Sequence, residues 1–205
     1  RGIAPDSSLV AIRVCDDFGC PDNAIISGID WCIANSAKYN ISVITMSLGS
    51  FLPFKGYCDD ESSESGFKLA IDTAVSKDIS VIAATGNFGS TNGISSPACI
   101  KNATAIGSVS KSDEISPFSN RNSVTDLFAP GEDIISTVPN GFCFLCDSTG
   151  FLKLNGTSMA TPHVTGAFAL LRQFERLREN IILRPGQIQD VLNSTGKQIE
   201  DRFGS

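Results

Sequence analysis

Short apolar segments rich in β-branched residues alternate along this chain with longer segments of helical periodicity. The expected strands are residues 8–14, 43–48, 79–84, 103–109 and 133–138. The expected helices are residues 22–37 (with Asp22 as a cap), 62–76, 158–176 and 187–193. Strands that alternate with helices predict a three-layer α/β fold, a parallel sheet covered by helices on both faces. Since 205 residues with 41% hydrophobic content can bury a large core, we expect a single domain.

One nine-residue segment, 155–163, has the sequence Asn-Gly-Thr-Ser-Met-Ala-Thr-Pro-His. Its glycine comes just before the hydroxyl residues that open the expected long helix, so Ser158 lies at a helix N-terminus. Backbone N–H groups converge there and the helix dipole favours negative charge, so an oxyanion that develops beside the Ser158 hydroxyl would be stabilised. Taken alone, Gly-Thr-Ser favours a simpler role, an N-cap.

Two further segments lie just past the ends of expected strands, where the sites of parallel sheets gather. They are Ser47-Leu48-Gly49 and Gly86-Asn87. By itself, an Asn beside a Gly is most often a turn residue, and Gly49 is most often the end of a strand.

The longer string around Ser158 resembles the serine segment of the subtilases, the subtilisin-like serine proteases. Further segments resemble the family in the same order along residues 2–199. They are 2–5 (Gly-Ile-Ala-Pro), 46–49 (Met-Ser-Leu-Gly), 83–87 (Ala-Ala-Thr-Gly-Asn), 96–98 (Ser-Pro-Ala), 118–119 (Phe-Ser) and 128–131 (Phe-Ala-Pro-Gly). The resemblance implies a subtilisin-like α/β fold and hydrolysis of peptide bonds through a serine acyl-enzyme.

The resemblance also implies roles for individual residues. Ser158 corresponds to the nucleophile, and Asn87 with the Ser158 N–H to the oxyanion hole. The residues expected to bind an extended protein or peptide substrate are Ser47, Leu48, Gly49, Thr85 and Gly86. Thr85 replaces the usual alanine, and we expect its hydroxyl-bearing side chain to narrow the primary specificity pocket. Pro97 corresponds to a proline that is often cis in the family.

In the family, the Asp and His motifs of the catalytic triad precede the segment that corresponds to residues 2–5. We therefore expect both upstream of Arg1, and an incomplete domain over 1–205 whose partner is that missing N-terminal segment. His163, the one histidine of the chain, follows Ser158 by five residues. That spacing turns it about 140° around the helix, so we do not expect it to be the base. We expect this chain alone to be inactive.

Two alternatives to this interpretation remain open. The parent protein is a pseudoprotease that binds peptides, or the chain is a fragment that assembles with a separate chain. An Asp-(Ser/Thr)-Gly and a His-Gly-Thr-His motif encoded before Arg1 would settle the enzyme interpretation, and their absence would favour the peptide-binding module.

The net charge, the length of the apolar runs and the candidate metal ligands limit the kinds of partner that the sequence predicts. A net charge of −6 and a pI of about 4.7 give no support to nucleic-acid binding. No apolar run reaches the roughly 18 residues of a membrane span. The resemblance requires no cofactor, although Asp126 corresponds to a carboxylate that binds structural calcium in some proteinase K-like members. A solvated loop acid is the simpler interpretation of Asp126, because a calcium site needs about six oxygens and the sequence indicates only this one side chain.

The cysteines and glycosylation patterns favour a secreted protein or one of the secretory pathway. Seven cysteines are an odd number, which fits either a partner in a missing segment or a free buried thiol. Cys143 and Cys146 have metal-ligand spacing, but one such pair is weak evidence for zinc. Three segments match the acceptor pattern for N-glycosylation, at Asn40, Asn102 and Asn193.

Overall fold

A computed structural model describes residues 2–141, 143 and 145–201. Its strands are β1 (Val43–Met46), β2 (Pro53–Phe54), β3 (Ser80–Ala84), β4 (Ile94–Ser95), β5 (Thr104–Val109), β6 (Leu127–Pro130), β7 (Ile134–Thr137) and β8 (Phe151–Leu154). Its helices are α1 (Asp22–Ala34), α2 (Ser36–Tyr39), α3 (Ser65–Ser76), α4 (Thr157–Glu179) and α5 (Pro185–Thr195), with a 3₁₀ turn at Ser62–Glu64.

The main sheet has four parallel strands in the order β1-β3-β5-β6. Two antiparallel pairs, β2 with β4 and β7 with β8, lie outside it. Strand β6 completes the sheet, although its short, half-buried sequence was not among the expected strands.

Alternate side chains of β3 enter two different cores, which shows the three layers directly. Val81 and Ala83 pack with buried residues of α1 and α3, whereas Ile82 packs with α4 and α5. Because successive side chains of a strand point to opposite faces, a strand buried on both faces is apolar at nearly every position, and Ser80 is the one polar residue of β3. The predicted parallel sheet with helices on both faces is confirmed.

The expected strand at residues 8–14 is wrong for this structure. These residues lie extended but form no strand pairing within the described part of the chain, and Leu9 is 93% exposed. Ile12 and Val14 contact α1, where a Cβ on Gly28 would lie 2.8 Å from Val14. A strand needs a hydrogen-bonded neighbour, and apolar sequence alone does not supply one.

The first helix also differs from the expectation. It is interrupted at Asn35, because the Asn35 and Ser36 side chains donate to the carbonyls of Trp31 and Ile33 and so compete with backbone hydrogen bonds. Asp22 is the first helical residue and not the cap, which is Pro21.

The cysteines form three disulfides and leave one free thiol. The pairs are Cys15–Cys20, Cys58–Cys99 and Cys143–Cys146. The last pair accounts for the metal-like spacing without zinc. Cys32 is free and buried on α1, and burial raises the pKa of its thiol. The odd count therefore reflects a buried thiol within these residues.

Among the described helices, none is both long and apolar enough to cross a membrane.

Candidate active site

The loops that follow β1 and β3 meet the first turn of α4 at one edge of the sheet. Because β1 and β3 are parallel, Ser47 and Asn87 emerge at the same edge. A small cleft of about 140 Å³ lies between the three segments. It is lined by Leu48, Gly49, Ser50, Phe51, Ala84, Gly86, Asn87, Phe88, Ser95, Thr157 and Ser158.

Ser158 is the second residue of α4 and lies half-buried at the cleft. Gly156 precedes the helix with φ +157°, a conformation that other residues seldom adopt. The first N–H groups of a helix have no partner inside it, so the Ser158 N–H is available beside its own hydroxyl. The hydroxyl itself donates to the carbonyl of Ser47 at 3.3 Å.

Ser47 also contacts the backbone of Ser158. Its hydroxyl donates to the Ser158 carbonyl at 2.8 Å. In a regular helix this carbonyl would accept the N–H of residue 162, but Pro162 has none. Ser47 therefore supplies the hydrogen bond that Pro162 removes, and it fixes the backbone of the expected nucleophile.

Asn87 is held by the residue that precedes Ser158. Its Oδ1 accepts from Thr157 N at 2.8 Å and from Thr157 Oγ1 at 3.0 Å. The Thr157 hydroxyl in turn accepts from Gly86 N at 3.2 Å. Because Oδ1 is occupied, the Nδ2 group is the donor that Asn87 offers to the cleft.

Thr157 was not predicted as a site residue. Its signal was present, since it lies inside the Gly-Thr-Ser string, but the sequence suggested only a helix cap. The structure shows no side-chain cap at this helix, and Thr157 is fully buried against Asn87.

The remaining residues expected at the cleft divide into two groups. Leu48, Gly49 and Gly86 line it, and a Cβ on Gly49 would lie 3.0 Å from the Cβ of Ser95. Thr85 does not. It is fully buried, and its hydroxyl donates to the backbone carbonyl of Asn120 at 2.7 Å. The expectation that Thr85 narrows a pocket is therefore corrected: its side chain points into the protein.

His163 makes its contact within its own helix. Its Nδ1 lies 2.8 Å from the carbonyl of Met159. Because a carbonyl only accepts, Nδ1 carries the proton of this hydrogen bond. The contact holds His163 against its own helix. That it is not the base for Ser158 stays a prediction, based on the spacing of five residues along the helix.

Asp126 lies just before β6. Because the strands are parallel, it lies at the opposite edge of the sheet from Ser47 and Asn87, which follow the ends of β1 and β3. Its oxygens accept from Ala105 N and from Gln189 Nε2, each at 2.7 Å. Burial raises the pKa of its carboxyl to about 6, against the effect of these two hydrogen bonds. Within the described residues, no group of three or more His, Cys, Asp or Glu could hold a metal ion. Calcium at Asp126, which the resemblance implied as an alternative to a solvated loop acid, stays an untested prediction.

A model of the subtilase family matches residues 1–205. Subtilisin E of Bacillus subtilis (strain 168) is 37% identical over 206 residues, which cover 98% of this chain and 47% of the relative. Subtilisin of Bacillus pumilus is 36% identical over 206 residues, which cover 98% of this chain and 65% of the relative. The chain thus spans about half to two thirds of the length of these relatives.

Two solved protease structures also match the chain. The crystal structure of a cold adapted subtilisin-like serine proteinase matches with a TM-score of 0.74 at 33% identity, covering 100% of this chain and 66% of that one. A lanthipeptide protease matches with a TM-score of 0.83 at 22% identity, covering 97% and 66%, and supports the fold alone. The family match along the chain and its identity to the subtilisins show that this protein belongs to the subtilase family of subtilisin-like serine proteases.

Proposed function

We propose that the protein is a serine endopeptidase, with Ser158 as the nucleophile. The observation that carries this proposal is the placement of Ser158 at the start of α4 beside an asparagine whose Oδ1 is fixed by Thr157. Attack by the Ser158 hydroxyl on a peptide carbonyl forms a tetrahedral oxyanion. The Ser158 N–H and Asn87 Nδ2 donate to that oxygen. A base, proposed below to lie outside these residues, takes the hydroxyl proton during attack and gives it to the leaving amine as the intermediate collapses to an acyl-enzyme. Water then hydrolyses the acyl-enzyme to the carboxylic acid and free Ser158.

The substrate is proposed to be a protein or peptide that lies extended along residues 47–49. An extended segment can pair with the backbone there and place its scissile carbonyl over Ser158. Phe51 and Phe88, with ring centroids 6.1 Å apart, flank the cleft and offer apolar surface to a side chain.

The base and its orienting carboxylate are proposed to belong to a segment outside these residues. Two features support this. The one histidine lies five residues beyond Ser158 on the same helix, about 140° around its axis, and an open groove of about 820 Å³ lies between residues 2–14, β1 and α4. β1 is the edge strand of the sheet, and along its outer edge no described residue forms a pairing. A further strand of the same domain fits this place, so we propose that residues 1–205 are one incomplete domain.

Three disulfides support a protein that folds in an oxidising compartment, which favours secretion or the secretory pathway. The proposed reaction needs no cofactor, since each step uses a side chain, a backbone N–H or water.

A fluorophosphonate probe tests the function in the full-length protein. The probe reacts only with a serine that a base has activated, so we expect labelling at Ser158 and its loss in Ser158→Ala. Labelled peptides identified by mass spectrometry locate the modified residue. Ser194→Ala is a matched control, because Ser194 is an exposed serine on α5 that does not line the cleft, and it should label normally.

Two outcomes would contradict the proposal, and a third would favour the alternative of an assembling fragment. Labelling that survives Ser158→Ala would place the nucleophile elsewhere. A folded full-length protein that binds peptides but is never labelled would support the pseudoprotease alternative. Labelling that appears only after a second chain is added would support the assembling fragment.

A further inference from the structure

Asn120 is fully buried, yet its side chain holds the loop that carries Asn87. Its Oδ1 accepts from Phe88 N at 2.9 Å and from Ser90 N at 3.0 Å. Because both partners are donors, the oxygen must face the loop. The orientation of the amide is thereby determined by the fold.

The backbone of Asn120 holds the same loop on the other side of Asn87. Its N–H donates to Gly86 O at 2.9 Å, and its carbonyl accepts from Thr85 Oγ1 at 2.7 Å. Residues before Asn87 are therefore held by the Asn120 backbone, and residues after it by the Asn120 side chain. Gly89 N adds a bond to Phe118 O at 2.8 Å.

The Nδ2 group of Asn120 shows that this residue is not present for packing alone. Within the described chain it has no hydrogen-bond partner, and a Cβ on Gly86 would come within 2.5 Å of it. A buried amide without an acceptor costs free energy, and an apolar side chain would fill the site without that cost. Compared with an apolar residue, the asparagine adds the two hydrogen bonds that its Oδ1 accepts from Phe88 N and Ser90 N. Gly86, at φ +101°, leaves the room that the amide occupies.

We propose that Asn120 is a positioning residue for the oxyanion donor. Its Oδ1 sets the turn at 88–90 and so the place of the Asn87 backbone, while Thr157 orients the Asn87 side chain. This inference rests on the proposed peptidase function, because only a reaction that forms an oxyanion uses the position of the Asn87 amide.

The kinetic test is Asn120→Ala in the full-length protein. We expect kcat on a chromogenic peptide to fall roughly 10- to 100-fold, since a displaced donor acts only on charge in the transition state, while KM changes by less than about threefold. Asn122→Ala is the matched control. Asn122 bonds Phe54 O at 3.2 Å and Val124 N at 3.0 Å, away from the 86–90 loop, and its kcat should stay within about threefold of wild type.

A double-mutant cycle separates positioning from general destabilisation. If Asn120 acts through Asn87, adding Asn120→Ala to Asn87→Ala should lower kcat no further. Multiplied losses, or a normal kcat in folded Asn120→Ala, would overturn the inference. If Asn120→Ala does not fold, Asn120→Ser keeps a hydroxyl in the buried site but is too short to reach both N–H groups, and it should show the same loss.

Hydrogen exchange gives a readout that does not depend on activity. The amides of Phe88 and Ser90 should exchange at least about 10-fold faster in Asn120→Ala, and those of Thr104–Val109 should not change. Unchanged exchange at Phe88 and Ser90 would overturn the role of Asn120 whether or not the protein is a peptidase. Faster exchange in Asn120→Ala, together with a wild type that never cleaves peptides, would support the contact of Asn120 with the loop and contradict the proposed function.

Discussion

Pro162 removes one hydrogen bond from the first turns of α4, and Ser47 returns it from a loop 111 residues away in sequence. The accepting atom is the carbonyl oxygen of Ser158, so the backbone of the proposed nucleophile depends on the loop after β1. Ser47, expected only as a substrate-binding residue, thus has a structural role through its side chain.

This geometry predicts a coupling between Ser47 and Pro162. Ser47→Ala should lower the free energy of unfolding by about 1 kcal/mol, the usual value of a lost hydrogen bond. Pro162→Ala restores an N–H at residue 162, so Ser47→Ala in that background should cost less than about 0.5 kcal/mol. Urea unfolding of the four proteins measures the cycle. Additive effects of the two substitutions would show that Ser47 does not replace the missing N–H.

Asn87 and Thr85 show what a local motif predicts about single residues. Asn87 lies in the cleft as expected, because strand-end loops of a parallel sheet open at one edge. Thr85, two residues earlier, was expected beside it and instead faces Asn120, 35 positions along the chain. The motif predicts which residues are near the site, whereas the direction of each side chain depends on its tertiary neighbours.

At the scale of elements, α5 is attached to the sheet through a short polar chain. Thr104 Oγ1 donates to Gln189 Oε1 at 3.0 Å, and Gln189 Nε2 donates to Asp126 Oδ1 at 2.7 Å. Asp126 therefore links the starts of β5 and β6 to α5. It is also a half-buried acid, and its desolvation raises the pKa of the carboxyl from 3.8 to about 6.

The raised pKa of Asp126 predicts a pH dependence of stability. Because its folded-state pKa lies above the unfolded value, Asp126 binds a proton more tightly in the folded protein. The resulting contribution to the free energy of unfolding is complete below about pH 4 and is lost as pH rises through 6. The loss is at most about 3 kcal/mol, at about 1.4 kcal/mol per pKa unit. Asp126→Asn has no such titration.

The measurement is the difference in unfolding free energy between wild type and Asp126→Asn at several pH values. We expect wild type to lose stability relative to the variant between about pH 4 and pH 6. Asp190→Asn, which removes an exposed acid on α5, is the control for the loss of one negative charge. A difference that stays constant with pH, or rises with it, would contradict the raised pKa.

At the scale of the whole molecule, apolar side chains remain exposed around the groove beside β1. Leu9 on one wall is 93% exposed, and Leu170 on α4 and Ile182 beyond it are 40% and 55% exposed. Large exposed apolar surface on a soluble protein marks an interface or an aggregation hazard. The outer edge of β1, along which no described residue forms a pairing, adds to the aggregation hazard.

From the proposed incomplete site we predict that the 205-residue chain expressed alone will not hydrolyse casein or a chromogenic peptide. Without a base, the Ser158 hydroxyl is un-ionised at neutral pH and a weak nucleophile. Loss of the triad lowers kcat by about 2 × 10⁶ in a subtilisin, a member of the same family. An upstream segment with the Asp and His motifs, added in trans, should restore cleavage, and Ser158→Ala should abolish it again. Robust cleavage by the chain alone would show that a base lies within these residues.

The sequence by itself determined the class of fold and the neighbourhood of the site. Helical periodicity and apolar β-branched runs are local properties, so four of the five expected strands and the long helix that starts near Ser158 are present. The order of these elements implied the parallel sheet, and the sheet implied the edge where the loops meet.

Only the tertiary structure decided which atoms meet. Residues 8–14 have strand-like sequence, but no strand lies beside them in the described part of the chain. The pairing of six cysteines depends on distances that spacing does not encode. Asn120 had no local signal, because its role consists of contacts about 30 residues away. Periodicity records whether a side chain is buried, but a hydrogen bond also needs a partner at the right distance, and that partner is set by the packing of the whole chain.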